Sequence, residues 1–148
     1  MFLNKVKMID TNKLLSKCSE FGKSATPQRI AIIQALSESK TGVSAYDLLA
    51  QLQQKGHSFN ISTIYRVLDF WIELGLIHKI DSNNTYLICN DNHHDHFHLL
   101  LHCDKCDQVE ESCAVSKQIH LPDGFGFLPK KNQVIEVVGT CAECSARL

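Results

Sequence analysis

The sequence predicts an α+β protein: an N-terminal winged helix-turn-helix domain followed by a small α/β domain built around a four-cysteine zinc site. Three observations carry the prediction. The first half shows apolar residues at helical spacing between helix caps, two short strand-like runs then flank a turn, and the second half holds two C-x-x-C pairs.

Leu14, Leu15, Cys18 and Phe21 recur at helical spacing and predict a first helix over about Asn12 to Phe21. Thr26-Pro27 starts a second, because Thr caps a helix and Pro suits its first position; Ile30, Ile33 and Ala35 or Leu36 form the expected buried stripe. Ser44-Ala45-Tyr46-Asp47 opens a third as a variant capping box, with Leu48, Leu49 and Leu52 inward and Gly56 available to stop it. Ser62 or Thr63 is the expected cap of a fourth, whose apolar face is Ile64, Val67, Leu68 and Trp71 and which ends at Gly75. Leu76–Ile80 and Thr85–Cys89 then read as a hairpin around the turn-forming Asp81-Ser82-Asn83-Asn84. Helices followed directly by a hairpin is the order of a winged helix, whose last helix enters the major groove.

The polar run from Asn90 to Asp95 marks the expected boundary, giving a DNA-binding domain over 1–89, a hinge over 90–95 and a second domain over 96–148. There, Phe97–His102, Gln108–Glu111 and Val134–Val138 read as strands, and Cys113–Leu121 as a helix stopped by Pro122.

The 148 residues are 44% hydrophobic and 21% charged, which suits a soluble protein of one domain or two small ones. Lys5 and Lys7 follow Phe2 and Leu3, so the N-terminus lacks the apolar stretch of about seven residues that a secretion signal needs. No apolar run approaches the roughly 18 residues of a membrane span. A cytoplasmic protein with no membrane partner is expected. Seven cysteines in a reducing compartment favour metal binding over disulfides. Charge is divided: residues 1–79 hold ten Lys/Arg against six Asp/Glu, and residues 80–148 hold five against ten. Polyanion binding is expected of the first part and cation binding of the second.

Cys103-Asp104-Lys105-Cys106 and Cys141-Ala142-Glu143-Cys144 can each turn two thiolates toward one ion and together close a tetrahedron. Zinc suits that set because it takes four sulfur ligands without redox change, and saturated coordination leaves no open position for catalysis. A thioredoxin-like dithiol would explain only one of the pairs. A second cluster is offered by His78, Cys89, the run His93-His94-Asp95-His96-Phe97-His98, and Glu111. One thiolate, imidazoles and a carboxylate suit Zn2+ better than Mn2+ or Mg2+, which prefer oxygen-rich surroundings. Any single histidine there reads first as a solvated loop residue, a reading that weakens for the run as a whole. For DNA, the fourth helix offers Ser62, Thr63, Tyr65, Arg66 and Asp69, with Tyr46 and Arg29 nearby in sequence. An Arg can bond a guanine edge or a phosphate, and the competing assignment is a solvated Arg66 and a half-buried Tyr46. Neither H-E-x-x-H nor H-x-E before P-C-x-x-C occurs, so no hydrolase or deaminase, and no small-molecule substrate, is expected.

The residues resemble the ferric uptake regulator superfamily, and most closely its zinc uptake regulator branch. The resemblance runs through Thr26-Pro27-Gln28-Arg29, Ser44–Leu49, Thr63–Phe70, His78-Lys79, Tyr86–Cys89, both C-x-x-C pairs, Val109-Glu110-Glu111 and Val134-Ile135-Glu136. It implies a homodimeric, metal-dependent repressor that binds double-stranded operator DNA and uses the second domain to dimerise. It also implies two zinc ions per chain: a structural one on Cys103, Cys106, Cys141 and Cys144, and a sensed one on His78, Cys89, His96 and Glu111. Tyr46 and Arg66 match positions that contact operator DNA. Iron-sensing members place a similar His-His-Asp-His three residues before the first zinc cysteine, whereas His96 here precedes Cys103 by seven. His93, His94 or His98 therefore stand as alternatives to His96. The thiolate at Cys89 favours zinc over an iron, manganese or peroxide sensor of the same family. A zinc-stapled interaction module that binds no nucleic acid is the remaining alternative.

Overall fold

Four helices open the chain, each started by a polar side chain that accepts an otherwise orphaned backbone N–H. Asp10 caps α1 (Thr11–Glu20), Thr26 caps α2 (Pro27–Ser37), Ser44 caps α3 (Ala45–Gln54) and Asn60 caps α4 (Ile61–Glu73). The computed structural model describes residues 9–39, 41–89, 97–130 and 133–148. The chain divides into two units, Met1–Ile88 and Cys89–Leu148.

In the first unit, α4 begins earlier than the expected Ser62 or Thr63. Asn60 Oδ1 accepts the Thr63 N–H at 2.8 Å, so Thr63 is the capped residue and not the cap. Its predicted apolar face is buried in full, Ile64, Leu68 and Trp71 completely. The stripe on α2 is wider than expected, since Ile32 is buried beside Ile33, Ala35 and Leu36 while Ile30 is only half-buried. That helix packs against α3, α4 and the hairpin, so it has little solvent face. On α1 only Leu14 and Cys18 reach the core; Leu15 stays exposed, as does Phe21, which lies beyond the last helical turn.

The hairpin pairs β1 (Ile77–Ile80) with β2 (Thr85–Ile88) antiparallel, with His78 opposite Leu87 and Ile77 opposite Ile88. Asn84 makes the turn with a φ of 54°, which Asn tolerates better than most residues. A bridge not anticipated from sequence ties the hairpin to the helices: Val43 and Tyr86 exchange two backbone hydrogen bonds of 2.9 Å each. Gly42 beside it is a close approach, because any β-carbon there would run into the Thr85 side chain. The result is a winged helix-turn-helix.

The second unit is a three-stranded sheet in the order β4 (Val109–Glu111), β3 (His98–Cys103), β5 (Val134–Gly139). Central β3 runs antiparallel to β4 and parallel to β5. The helix expected over 113–121 is a single turn, α5 (Cys113–Ser116). The residues after Ser116 are mostly polar and exposed, with no apolar stripe to continue it. One turn missed from sequence, α6 (Ala142–Ser145), follows β5. Among the described residues no helix is long and apolar enough to cross a membrane.

Candidate metal centres and nucleic-acid interface

β3 ends at Cys103, and the backbone turns there under a hydrogen bond from the Cys103 N–H to Gln108 O at 2.9 Å and another from the Asp107 N–H to Cys103 O at 3.0 Å. Asp107 takes the left-handed conformation at φ 58°, which turns the chain back so that β4 starts at Val109. The other pair rides on α6, whose N-cap is Cys141 itself. Two contacts lock the pairs together: the Asp104 N–H donates to Gly139 O at 2.9 Å, and Thr140 Oγ1 to Asp104 Oδ1 at 3.3 Å. All four Sγ atoms lie within 4.8 Å of one another. The Cys106–Cys141 sulfur separation is 3.9 Å. A tetrahedron with zinc–sulfur bonds of about 2.3 Å has edges of about 3.8 Å, so the donors fit zinc.

The thiol chemistry points the same way. Cys103 is held down at about 6 by the backbone N–H of Cys141, at 3.3 Å from its sulfur, and then by that of Lys105. Cys144 is pushed up to about 12 by hydrogen bonding with the Cys141 thiol, and then by burial. Four sulfurs this close cannot all ionise unless a cation balances them.

The second donor set begins one residue past the wing strand β2. Cys89 is buried, and its Sγ donates to Glu111 Oε1 at 3.7 Å. His98 Nδ1 lies 2.8 Å from the same oxygen, and both side chains are 1% exposed. Ligand atoms of the three residues lie within 4.8 Å of one another. Strand register explains the meeting. Leu100 pairs with Glu111, and residues at alternate positions share a face, so His98 and Glu111 project on one side of the sheet. His96, named from the resemblance, falls outside the described residues, as do His93 and His94, and the imidazole that meets Glu111 is that of His98. Part of the signal for His98 was in the sequence: a hairpin whose turn spans Asp104–Asp107 sets Glu111 opposite Leu100 and makes 98 and 102 the flanking positions. His102 does occupy the same face, 3.7 Å from Glu136 Oε1 and 3.2 Å from Asp107 Oδ1. His78 is buried on β1.

On the winged-helix unit, Tyr46 is 66% exposed, against the half-buried alternative. Arg66 is exposed on α4, and Thr63 and Tyr65 are half-buried beside it. Arg29 differs from the others, because its guanidinium stacks on the Phe70 ring and bonds Ser24 O within the unit.

A model of the ferric uptake regulator family matches residues 20–120. The chain is 36% identical over 142 residues to the zinc uptake regulation protein of Escherichia coli (strain K12), covering 90% of this chain and 82% of that protein. Among solved structures, a zinc uptake regulator complexed with zinc and DNA aligns with a TM-score of 0.73 at 30% identity, covering 94% of this chain and 97% of that one. Holo XcZur aligns with a TM-score of 0.74 at 32% identity, covering 91% and 96%. With four ordered thiols, a winged helix and this breadth of similarity, the chain belongs to the ferric uptake regulator family.

Proposed function

We propose that this protein is a zinc-responsive transcriptional repressor, not an enzyme, that binds double-stranded operator DNA and controls zinc uptake genes. The observation that carries the proposal is the buried, mixed donor set of Cys89, His98 and Glu111, which starts one residue after the wing of a helix-turn-helix unit. A thiolate beside an imidazole and a carboxylate favours zinc over manganese or magnesium. The names of the relatives, a zinc uptake regulation protein and a regulator bound to zinc and DNA, support the same reading.

Residues 1–89 form the DNA-binding domain, 90–95 the hinge, and 96–148 the dimerisation and metal-binding domain. His78 is the fourth ligand of the sensing site. It faces Leu87 across the hairpin, and Cys89 follows Leu87 by two residues, so both project from one face as diagonal neighbours. His78 and Cys89 at the wing, with His98 and Glu111 of the sheet, would hold the sensed zinc, which would supply a shared cationic centre. Held so, those four residues would fix the wing across the hinge, with His98 in the place the resemblance gives His96. Cys103, Cys106, Cys141 and Cys144 hold the second ion of the chain as a permanent staple.

Operator contacts come from Tyr46, Thr63, Tyr65 and Arg66. The homodimer is supported by β5, an outer strand of the sheet, which exposes Val137 and Val138 and follows the exposed Phe125, Phe127 and Leu128 in sequence. Two winged helices at a set separation match half-sites one helical turn apart. Metal and operator both favour the closed arrangement, so each raises affinity for the other equally. Moving the closed form from 1:99 to 99:1 takes about 5.5 kcal/mol of differential binding, within reach of zinc coordination.

The test is operator binding by the whole protein across buffered free zinc, iron and manganese, with and without peroxide. Zinc alone should switch binding on. A response to iron or manganese at lower free metal, or DNA release by peroxide, would assign a different sensor of the family. Arg66→Ala should weaken operator binding about 10–100-fold while zinc binding persists.

A further inference from the structure

The rotation of α4 about its own axis decides where Arg66 points, since a slip of one residue turns the helix by about 100°. Two consecutive residues on its buried side resist that slip. Phe70 and Trp71 are 8% and 0% exposed, their rings meeting edge to face at 4.9 Å. Both are held by one residue of the first turn of α2. The Trp71 Nε1–H, the polar atom of a fully buried indole, donates to Arg29 O at 3.0 Å. The Arg29 guanidinium lies 3.7 Å from the centre of the Phe70 ring, and its Nη1 donates to Ser24 O at 2.6 Å.

A cation in the first turn of a helix is opposed by the helix dipole, so Arg29 stays there against a local penalty. The ring and the carbonyl supply the compensation. Its own backbone N–H donates to Thr26 Oγ1 at 3.3 Å, so backbone and side chain are both engaged inside the unit. Phe70 is one helical turn from Arg66, and a shift at the ring is carried directly to the exposed guanidinium.

We propose that Arg29 is a positioning residue for operator recognition: it sets the rotation of α4 through Phe70 and Trp71 and does not itself touch DNA. The proposal rests on the assignment of this unit as a DNA-binding domain.

Arg29→Lys, Arg29→Met, Phe70→Leu and the Arg29→Met/Phe70→Leu double variant, all zinc-loaded, would be titrated with a duplex selected by the wild-type protein from a random pool, and with unselected duplex, over a range of salt. Each single variant should lose roughly tenfold in affinity for the selected duplex. Affinity for unselected DNA and the salt slope should stay as in wild type, and the double variant should be no weaker than the worse single one. Lys should fail as Met does, because an ammonium lacks the planar fork that stacks on a ring. A salt slope lower by about one in Arg29→Met but preserved in Arg29→Lys would make Arg29 a phosphate contact and overturn the proposal. So would unchanged affinity in all variants, or loss of the folded circular-dichroism signal in all of them. If the wild-type protein selects no duplex, the DNA-binding assignment falls and this proposal with it.

Discussion

The two donor clusters of the second unit sit at opposite ends of the same strand, with His98 opening β3 and Cys103 closing it. At the Cys103 end all donors are sulfur, and the backbone is arranged to stabilise thiolate: the Cys141 N–H points at Cys103 Sγ and the Cys144 N–H at Cys141 Sγ. At the His98 end the donors bond one another, with Glu111 Oε1 serving both the Cys89 thiol and the His98 ring. A metal entering the first site meets a thiolate already prepared at Cys103 and displaces the protons shared among the other sulfurs. In the second it must replace the bonds that the Glu111 carboxylate makes to the Cys89 thiol and the His98 ring. That difference suits the staple and the sensor proposed above, because a sensor must leave its donors satisfied when it lets go.

The largest effect expected from this contrast is on folding. The second unit buries few large apolar side chains, chiefly Leu99, Leu100 and Val109, whereas structural zinc contributes an apparent 10–16 kcal/mol or so in small zinc-stapled domains. Cys141→Ser should therefore remove one zinc per chain and melt the β3–β5 sheet, read as metal content and thermal unfolding. A variant that keeps wild-type melting would erase the distinction between the two ends of β3.

At the other end the fold should survive and the response should not. Cys89→Ser and His98→Ala are each expected to shift the free zinc needed for operator binding by about 100-fold or more while the four-cysteine zinc stays bound. His96→Ala made in parallel sharpens the comparison. If it matches wild type, His98 is the ligand; if it abolishes the response while His98→Ala does not, the ligand set implied by family resemblance holds and the His98–Glu111 pair is only structural.

Most of the helical architecture was legible because caps are local. Thr26-Pro27 and Ser44-Ala45 start helices by chemistry within one turn. The Asn60 cap was missed because Ser62 and Thr63, two and three residues on, are equally competent by type, and only packing of Ile64 and Leu68 chooses the frame. Leu15 and Phe21 were misjudged for the converse reason: helical spacing admits them to the stripe, but α1 meets the core along a line only Leu14 and Cys18 wide. The four cysteines were readable because C-x-x-C constrains its own geometry. The mixed site was only half readable, since the meeting of His98 with Glu111 depends on the β3–β4 register, which the turn after Cys103 sets and the C-x-x-C spacing alone does not.

The smallest expected effect is in the protons that accompany zinc at the four-cysteine end, and its sign follows from the thiols. Cys103, at about 6, is already largely thiolate near pH 7.5 and gives up almost no proton to binding. Cys144, at about 12, enters as a thiol and must lose one; Cys106 is raised as well, the crowding by Cys103 and burial outweighing the larger opposing pull of the Gln108 N–H. Between about pH 7.5 and about pH 5 the count released per zinc should rise by roughly one, as Cys103 becomes protonated before binding. Its depressed value also stabilises the folded unit fully above its ordinary value of 9.0, and that contribution disappears as pH falls through about 6. Calorimetry in two buffers of different ionisation enthalpy at each pH, on the Cys89→Ser protein so that only one site responds, measures the count. An unchanged proton number would mean that the Cys141 N–H does not prepare Cys103 as a thiolate, and the four sulfurs would then owe their order to the metal and not to the fold.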